Sequence, residues 1–207
     1  MRNKLRNAIW LLLAVFVVLG VAIPIVRQNN LNRQMLEAIQ LREGASTVRA
    51  LIDQGADPNA VITDEYDSAI FRAVSMGSPE VVQALLEAGA SVQKVGPAKM
   101  GPIFAITWSN NVWSDKLTES ECRAIVQQLQ GKGESIEERD ALGFTPLMRA
   151  VWSGNTIATK TLLDMGANSH VESNYGQTVW YWTDRIPPKQ AELVKLLREH
   201  DTGVHRS

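Results

Sequence analysis

Leu85-Leu86-Glu87-Ala88-Gly89-Ala90-Ser91-Val92 decides the fold, because recognisable copies of it recur along the chain. It returns as Leu162-Leu163-Asp164-Met165-Gly166-Ala167-Asn168-Ser169 and is preceded by Leu51-Ile52-Asp53-Gln54-Gly55-Ala56-Asp57-Pro58. A degenerate copy is Leu129-Gln130-Gly131-Lys132-Gly133-Glu134-Ser135-Ile136. The glycines stand at 55, 89, 133 and 166, at separations of 34, 44 and 33. A unit of about 33 residues therefore repeats, with an insertion of roughly 11 in one copy. A fixed period of this size predicts an all-α solenoid whose units touch only their neighbours.

Outward from each turn, the unit reads as two short helices. Thr145-Pro146-Leu147-Met148-Arg149-Ala150-Val151-Trp152 begins with Thr at the capping position and Pro at the first helical position, where its missing N–H costs nothing. Gly154-Asn155 breaks that helix, and a second, Thr156 to Met165, stops at Gly166, a residue free to turn left-handed. Ser78-Pro79-Glu80 opens the matching helix of an earlier unit, and Thr118-Glu119-Ser120-Glu121 is a capping box. First helices start at Ala69, Pro102, Pro146 and Val179, at the same intervals of 33, 44 and 33 as the turns.

This combination resembles the ankyrin repeat, whose helix start reads T-P-L-H-x-A and whose turn reads G-A-D-x-N at 33-residue spacing. About five repeats over 31–201 are expected, the first (Leu31 to Ala60) and last (Tyr175 to Asp201) acting as caps with polar Gln34, Glu37, Lys195 and Arg198 outward. The family's motif His is replaced by Phe71, Phe104, Met148 and Tyr181, so polar ties between repeats should be weak and apolar packing dominant. The resemblance implies protein binding through a concave face of loop tips and exposed first-helix positions. Carried over by position, that face comprises Asp64, Glu65, Asp67 and Ser75, then Ala98, Met100 and Trp108. It continues with Arg139, Leu142, Phe144 and Trp152, and ends with Asn174, Tyr175, Gln177 and Asp184. Trp108 and Trp152 share one slot in adjacent repeats, and could either anchor a partner or fold into the seam. The insertion between Ser109 and Thr118 adds Trp113, a further candidate contact on a loop longer than stacking requires.

Before the repeats, Ala8 to Val26 runs 19 residues without a charge behind Arg2, Lys4 and Arg6. As a helix it would cover about 28 Å, close to the roughly 30 Å hydrocarbon core of a bilayer. The expected organisation is a basic cytoplasmic segment (1–7), a transmembrane signal-anchor (8–26), a linker (27–30), the repeat domain (31–201) and a tail (202–207). Three basic side chains before the span against Arg27 and Arg33 after it direct the repeats out of the cytoplasm. A bacterial inner membrane with the repeats in the periplasm is the expected location. The alternative is a secretory signal cut near Gly20-Val21-Ala22, which Pro24 and the continuing apolar Ile23, Ile25 and Val26 disfavour.

Of the whole chain's 207 residues, 21 are Lys or Arg and 22 Asp or Glu, a formal charge of -1. No basic surface advertises nucleic acid, and none is expected as a partner. A single cysteine, Cys122, and three histidines at 170, 200 and 205 offer no zinc spacing, so no metal or cofactor is expected. Cys122, near the start of a second helix, reads as a partly buried small hydrophobe. Glu137-Glu138-Arg139-Asp140 reads as a solvated loop tip. No nucleophile, base and acid converge, so the chain is read as a binder and not an enzyme, with no small-molecule substrate. Two binding roles fit: a scaffold or protector of an envelope protein, or an immunity protein that inhibits a secreted toxin. A hydrolase built on His170 with neighbouring acids is a remote third reading.

Overall fold

The computed structural model describes residues 20, 23–61, 68–94, 98–108, 117–183 and 191–204. Helix α1 covers residues 23–40. It is followed by α2 (Ala45–Asp53), α3 (Ala69–Ser75), α4 (Pro79–Glu87), a 3₁₀ helix (Pro102–Trp108) and α5 (Glu119–Gln130). The chain continues through α6 (Pro146–Ser153), α7 (Thr156–Asp164), α8 (Trp180–Thr183) and α9 (Ala191–Val204). An isolated antiparallel bridge joins Val61 and Ser68.

The elements stack in two rows. First helices contact first helices, with the 3₁₀ segment between α3 and α6. Second helices run in sequence α2, α4, α5, α7 and α9, each against the next. One continuous core lies between the rows, from Leu31 and Met35 through Phe71, Leu85, Phe104, Ile125, Leu147 and Leu162 to Leu193 and Leu197. Each turn glycine has the positive φ that ends a helix without a Cβ penalty: 109° at Gly55, 92° at Gly89, 95° at Gly133 and 90° at Gly166. Among the described residues, side-chain caps form at three helix starts that carry Ser or Thr, whereas Ser78, the N-cap of α4, makes none. Ser68 accepts from Phe71 N and Thr145 from Met148 N, while Thr118 and Glu121 form the reciprocal capping box.

Two expectations change. Phe71, Phe104 and Met148 are buried in place of the family's His, but the repeats are nonetheless joined by polar contacts. A side chain from the preceding turn holds the backbone N–H two residues after the next turn glycine. Asn59 Oδ1 accepts from Ser91 N at 2.7 Å, and Glu137 Oε1 from Asn168 N at 2.7 Å. Asn155 caps α7 through Ala158 N and donates to Ile106 O at 3.0 Å in the repeat before. Loop and cap amides and carboxylates thus replace the imidazole, since buried N–H and C=O groups must be paired by some donor or acceptor.

The second change lies at the amino end. Residues 27–30, read as a linker, are helical and belong to α1. No Gly or Pro stands between 25 and 40, and the buried Leu31, Met35, Leu36, Ala38 and Ile39 fix one face of this helix in the core. Most of the expected span, 8–26, lies outside the described residues. Among the described residues no helix is long and apolar enough to cross a membrane.

Candidate partner-binding surface

The fourth repeat builds the most developed surface, and it begins with Asp140. The buried Asp140 closes its loop by accepting from Leu142 N at 2.8 Å and Phe144 N at 2.9 Å through Oδ1. Its Oδ2 takes Arg149 Nε at 2.9 Å and also Arg149 Nη2, a two-pronged pair between loop tip and first helix. Asp140 is therefore no solvated charge, contrary to the reading of the 137–140 run. Its neighbours are used as well: Glu138 pairs with Lys94 at 3.1 Å and Glu137 holds the next turn.

Arg149, so held, spreads its guanidinium 4.8 Å from the ring centre of Phe144 and 5.5 Å from that of Trp152. From the next repeat Trp182 meets Phe144 edge-on at 6.3 Å, and Tyr181 abuts Trp182 at 4.8 Å. Leu142, Phe144, Met148, Arg149, Trp152 and Trp182 line a cleft of about 240 Å³. Trp152 is 60% exposed and Leu142 40% exposed at its rim. Trp152 thus stays out of the seam, while its neighbour Val151 is buried and the Ser153 hydroxyl is bonded to Thr107 O.

The other expected contact residues divide. Tyr175 is 64% exposed. Arg139 and Asn174 are exposed but engaged: Arg139 donates to Gly143 O and Glu172 O, and Asn174 Nδ2 to Ala141 O at 3.2 Å. Phe144, Gln177, Ala98 and Ser75 are half-buried, the Ser75 hydroxyl bonded to Arg72 O. Met100 offers no surface. Lys99 turns left-handed at φ 50° and Met100 goes into the core. Asp64, Glu65, Asp67, Trp113, Asp184 and the side chain of Trp108 lie outside the described residues.

Sequence reading missed Met148, Arg149 and Trp182 as lining groups and Asp140 as their organiser. Two signals were present. Arg149 and Trp152 stand three apart on one helix, a spacing that puts them on the same face. Trp182 occupies in the fifth repeat the slot that Arg149 occupies in the fourth, 33 residues earlier.

A second cleft, of about 280 Å³, lies at the fourth turn, where Ser169, His170, His200 and Asp201 gather. Ser169 Oγ is 3.2 Å from His170 Nδ1, and His170 Nε2 is 3.3 Å from Asp201 Oδ1. The order of groups resembles a hydrolytic relay, but the His170 side chain is 59% exposed and its own backbone N–H is given to Asn168 Oδ1. These contacts fasten α9 to the turn, together with His200 Nε2 to Asp164 Oδ1 at 3.2 Å. Among the described residues no group of three or more His, Cys, Asp or Glu could hold a metal ion. Cys122 is buried in α5, and desolvation pushes its thiol up to about 11.

Paired helices stacked at a near-33-residue period, with side chains stitching turn to turn, define a helical-repeat solenoid. Residues 45–86 match the family described as ankyrin repeats (many copies), and residues 142–174 match the ankyrin repeat. These two stretches resemble ankyrin repeats, a kind of repeat that serves as a protein-interaction module. The chain is similar to SH3 and multiple ankyrin repeat domains protein 2 of Homo sapiens, at 35% identity over 80 residues, or 38% of this chain. The chain spans 4% of that protein's length.

Proposed function

We propose that this protein is a membrane-anchored binding module outside the cytoplasm, in a bacterial inner membrane with its repeats in the periplasm, where it scaffolds or protects an envelope protein. The anchoring and location rest on the uncharged run Ala8 to Val26 and the basic residues before it. The binding reading rests above all on one observation, the Arg149-braced aromatic cleft with Trp152 at its rim. Large aromatics and arginines that are already immobilised lose little freedom on binding, which is why they dominate interface energetics. The Asp140 pair fixes Arg149, Arg149 fixes the rings, and the exposed edge of Trp152 is left for a partner's apolar side chain. The contact face is the concave side formed by loop tips and first helices.

Capture from solubilised membranes by the tagged full-length chain tests this. Trp152→Ala is expected to weaken capture by at least about 2 kcal/mol, roughly 30-fold, with unchanged thermal unfolding. Undiminished capture by that variant would overturn the surface assignment. Recovery of the chain in the soluble fraction would overturn the anchoring.

A further inference from the structure

We propose that the aromatic cleft takes an extended, uncharged, proline-containing segment of the partner protein, with a proline ring in the cleft and a backbone carbonyl of the segment on the indole N–H of Trp182. The inference rests on the binding reading above and adds to it the chemistry and conformation of what is bound.

An unused donor points to the ligand. Trp182 lines the cleft, yet its Nε1 is buried with no acceptor among the described residues. A buried indole N–H ordinarily finds a partner, and one left without an acceptor is costly. Trp182 stands on α8, a four-residue helix in which no side chain is fully buried. An element so short and so little buried can yield outward to admit an acceptor.

Backbone geometry decides which acceptor. Within a helical partner the carbonyls are already bonded inside the helix, so none is free to meet Trp182. A partner strand pairs with a sheet edge, whereas the walls here are a loop tip, α6 and α8. A polyproline II chain has no internal hydrogen bonds, so every carbonyl it carries is available. Proline also brings no N–H that would need a partner of its own, and proline-rich segments dock in aromatic-lined grooves. Tyr181, exposed and edge-on to Trp182 at 4.8 Å, extends the aromatic surface on the side of the fifth repeat.

Charge and size exclude the competing anchors. The Arg149 guanidinium lies 4.8 Å from the ring centre of Phe144 and 5.5 Å from that of Trp152, so a lysine or arginine seeking those rings meets a like charge. An acidic side chain would be desolvated for little return, because Arg149 is already paired through Nε and Nη2 with the buried Asp140. The cleft volume of about 240 Å³ falls below the roughly 300–1,000 Å³ of pockets that enclose a small organic ligand, and suits one or two residues of a chain.

Isothermal titration of the full chain, solubilised in dodecyl maltoside, with acetyl-decaproline amide tests this. Saturable binding is expected, weakened roughly 30-fold by Trp152→Ala and roughly fivefold by Trp182→Phe, which keeps a ring and removes the N–H. The same peptide with lysine at its fourth and seventh positions is expected to bind about tenfold more weakly. The Trp182 indole proton resonance of the native chain gives a reading that needs no variant: it is expected to move downfield as decaproline is added. An unmoved resonance would overturn the proposal, as would equal affinity for the lysine peptide or tighter binding of a helical peptide, acetyl-(Glu-Ala-Ala-Leu-Lys)3 amide. Failure of decaproline to bind, with capture from membranes still weakened by Trp152→Ala, would overturn the extended segment and leave the cleft reading standing. Capture indifferent to Trp152 would remove both.

Discussion

The fourth repeat opens on Thr145-Pro146 and winds the α-helix α6, whereas the third opens on Gly101-Pro102 and winds only a 3₁₀ helix. The capping slot holds Ser68 in the second repeat and Thr145 in the fourth, but Gly101, which has no side chain to cap with, in the third. The missing acceptor comes from elsewhere. At the position after the turn glycine, three repeats carry the buried alanines Ala56, Ala90 and Ala167, and the third carries Glu134. Both carboxyl oxygens of Glu134 reach Ile103 N, at 3.0 and 3.2 Å. A Cβ at residue 101 would stand 2.0 Å from Glu134 Oε1. Gly101 and Glu134 are therefore one exchange made in two places. The comparison teaches that a repeat can move its cap from the helix start to its own closing turn, at the expense of burying an acid.

The largest expected effect removes the fourth repeat's local device. Asp140→Ala leaves Arg149 without its buried partner and two loop N–H groups without an acceptor. Breaking such a pair costs about 3–5 kcal/mol, to be read as a lower urea midpoint. An unchanged midpoint would mean that the pair is dispensable and that the fourth repeat differs from the third only in its cap.

A smaller effect is expected from swapping the third repeat back to the common pattern. Glu134→Ala alone loses the acceptor for Ile103 N, and Gly101→Ser alone collides with the carboxyl group. Together they recreate the arrangement of the second repeat. The double variant should be more stable than the sum of the single changes by on the order of 2 kcal/mol, within the range of couplings between touching residues. Additive costs would show that the two positions are independent.

The period, the turns and the capping box were legible in the sequence because each is local: a glycine at a helix end or a Thr before a Pro carries its meaning within a few residues. Leu142, Phe144 and Trp152 were legible as one surface because the repeat register transfers positions. Asp140, Arg149 and Trp182 escaped because the pair that organises them joins Asp140 to Arg149 nine residues on and Trp182 meets Phe144 from the next repeat, and a charge run looks the same whether it is solvated or spent. Met100 was misplaced because a left-handed Lys99 carries no compositional signal. The 27–30 segment was read as a linker, yet with no Gly or Pro between 25 and 40 it continues the helix whose later residues pack in the core.

The smallest effect per step is a pH dependence specific to the third repeat. Burial, reinforced by Glu138 and opposed by the Ile103 N–H and by Lys94, raises the Glu134 carboxyl from 4.5 to about 8. Between those values the folded chain keeps a proton that the unfolded chain releases, so the folded state binds more protons and its stability falls as pH rises through that window. Below 4.5 the group is neutral in both states, and above about 8 it is charged in both; the contribution is flat on either side. The slope is at most about 1.4 kcal/mol per pH unit. Urea midpoints of the native chain and Glu134→Gln, compared from pH 5 to pH 8.5, isolate it, because every other titrating group is common to both. The variant is expected to lose the decline while keeping an oxygen within reach of Ile103 N. Parallel curves would mean that Glu134 is charged when buried, held by Ile103 N–H and Lys94 strongly enough to outweigh its desolvation.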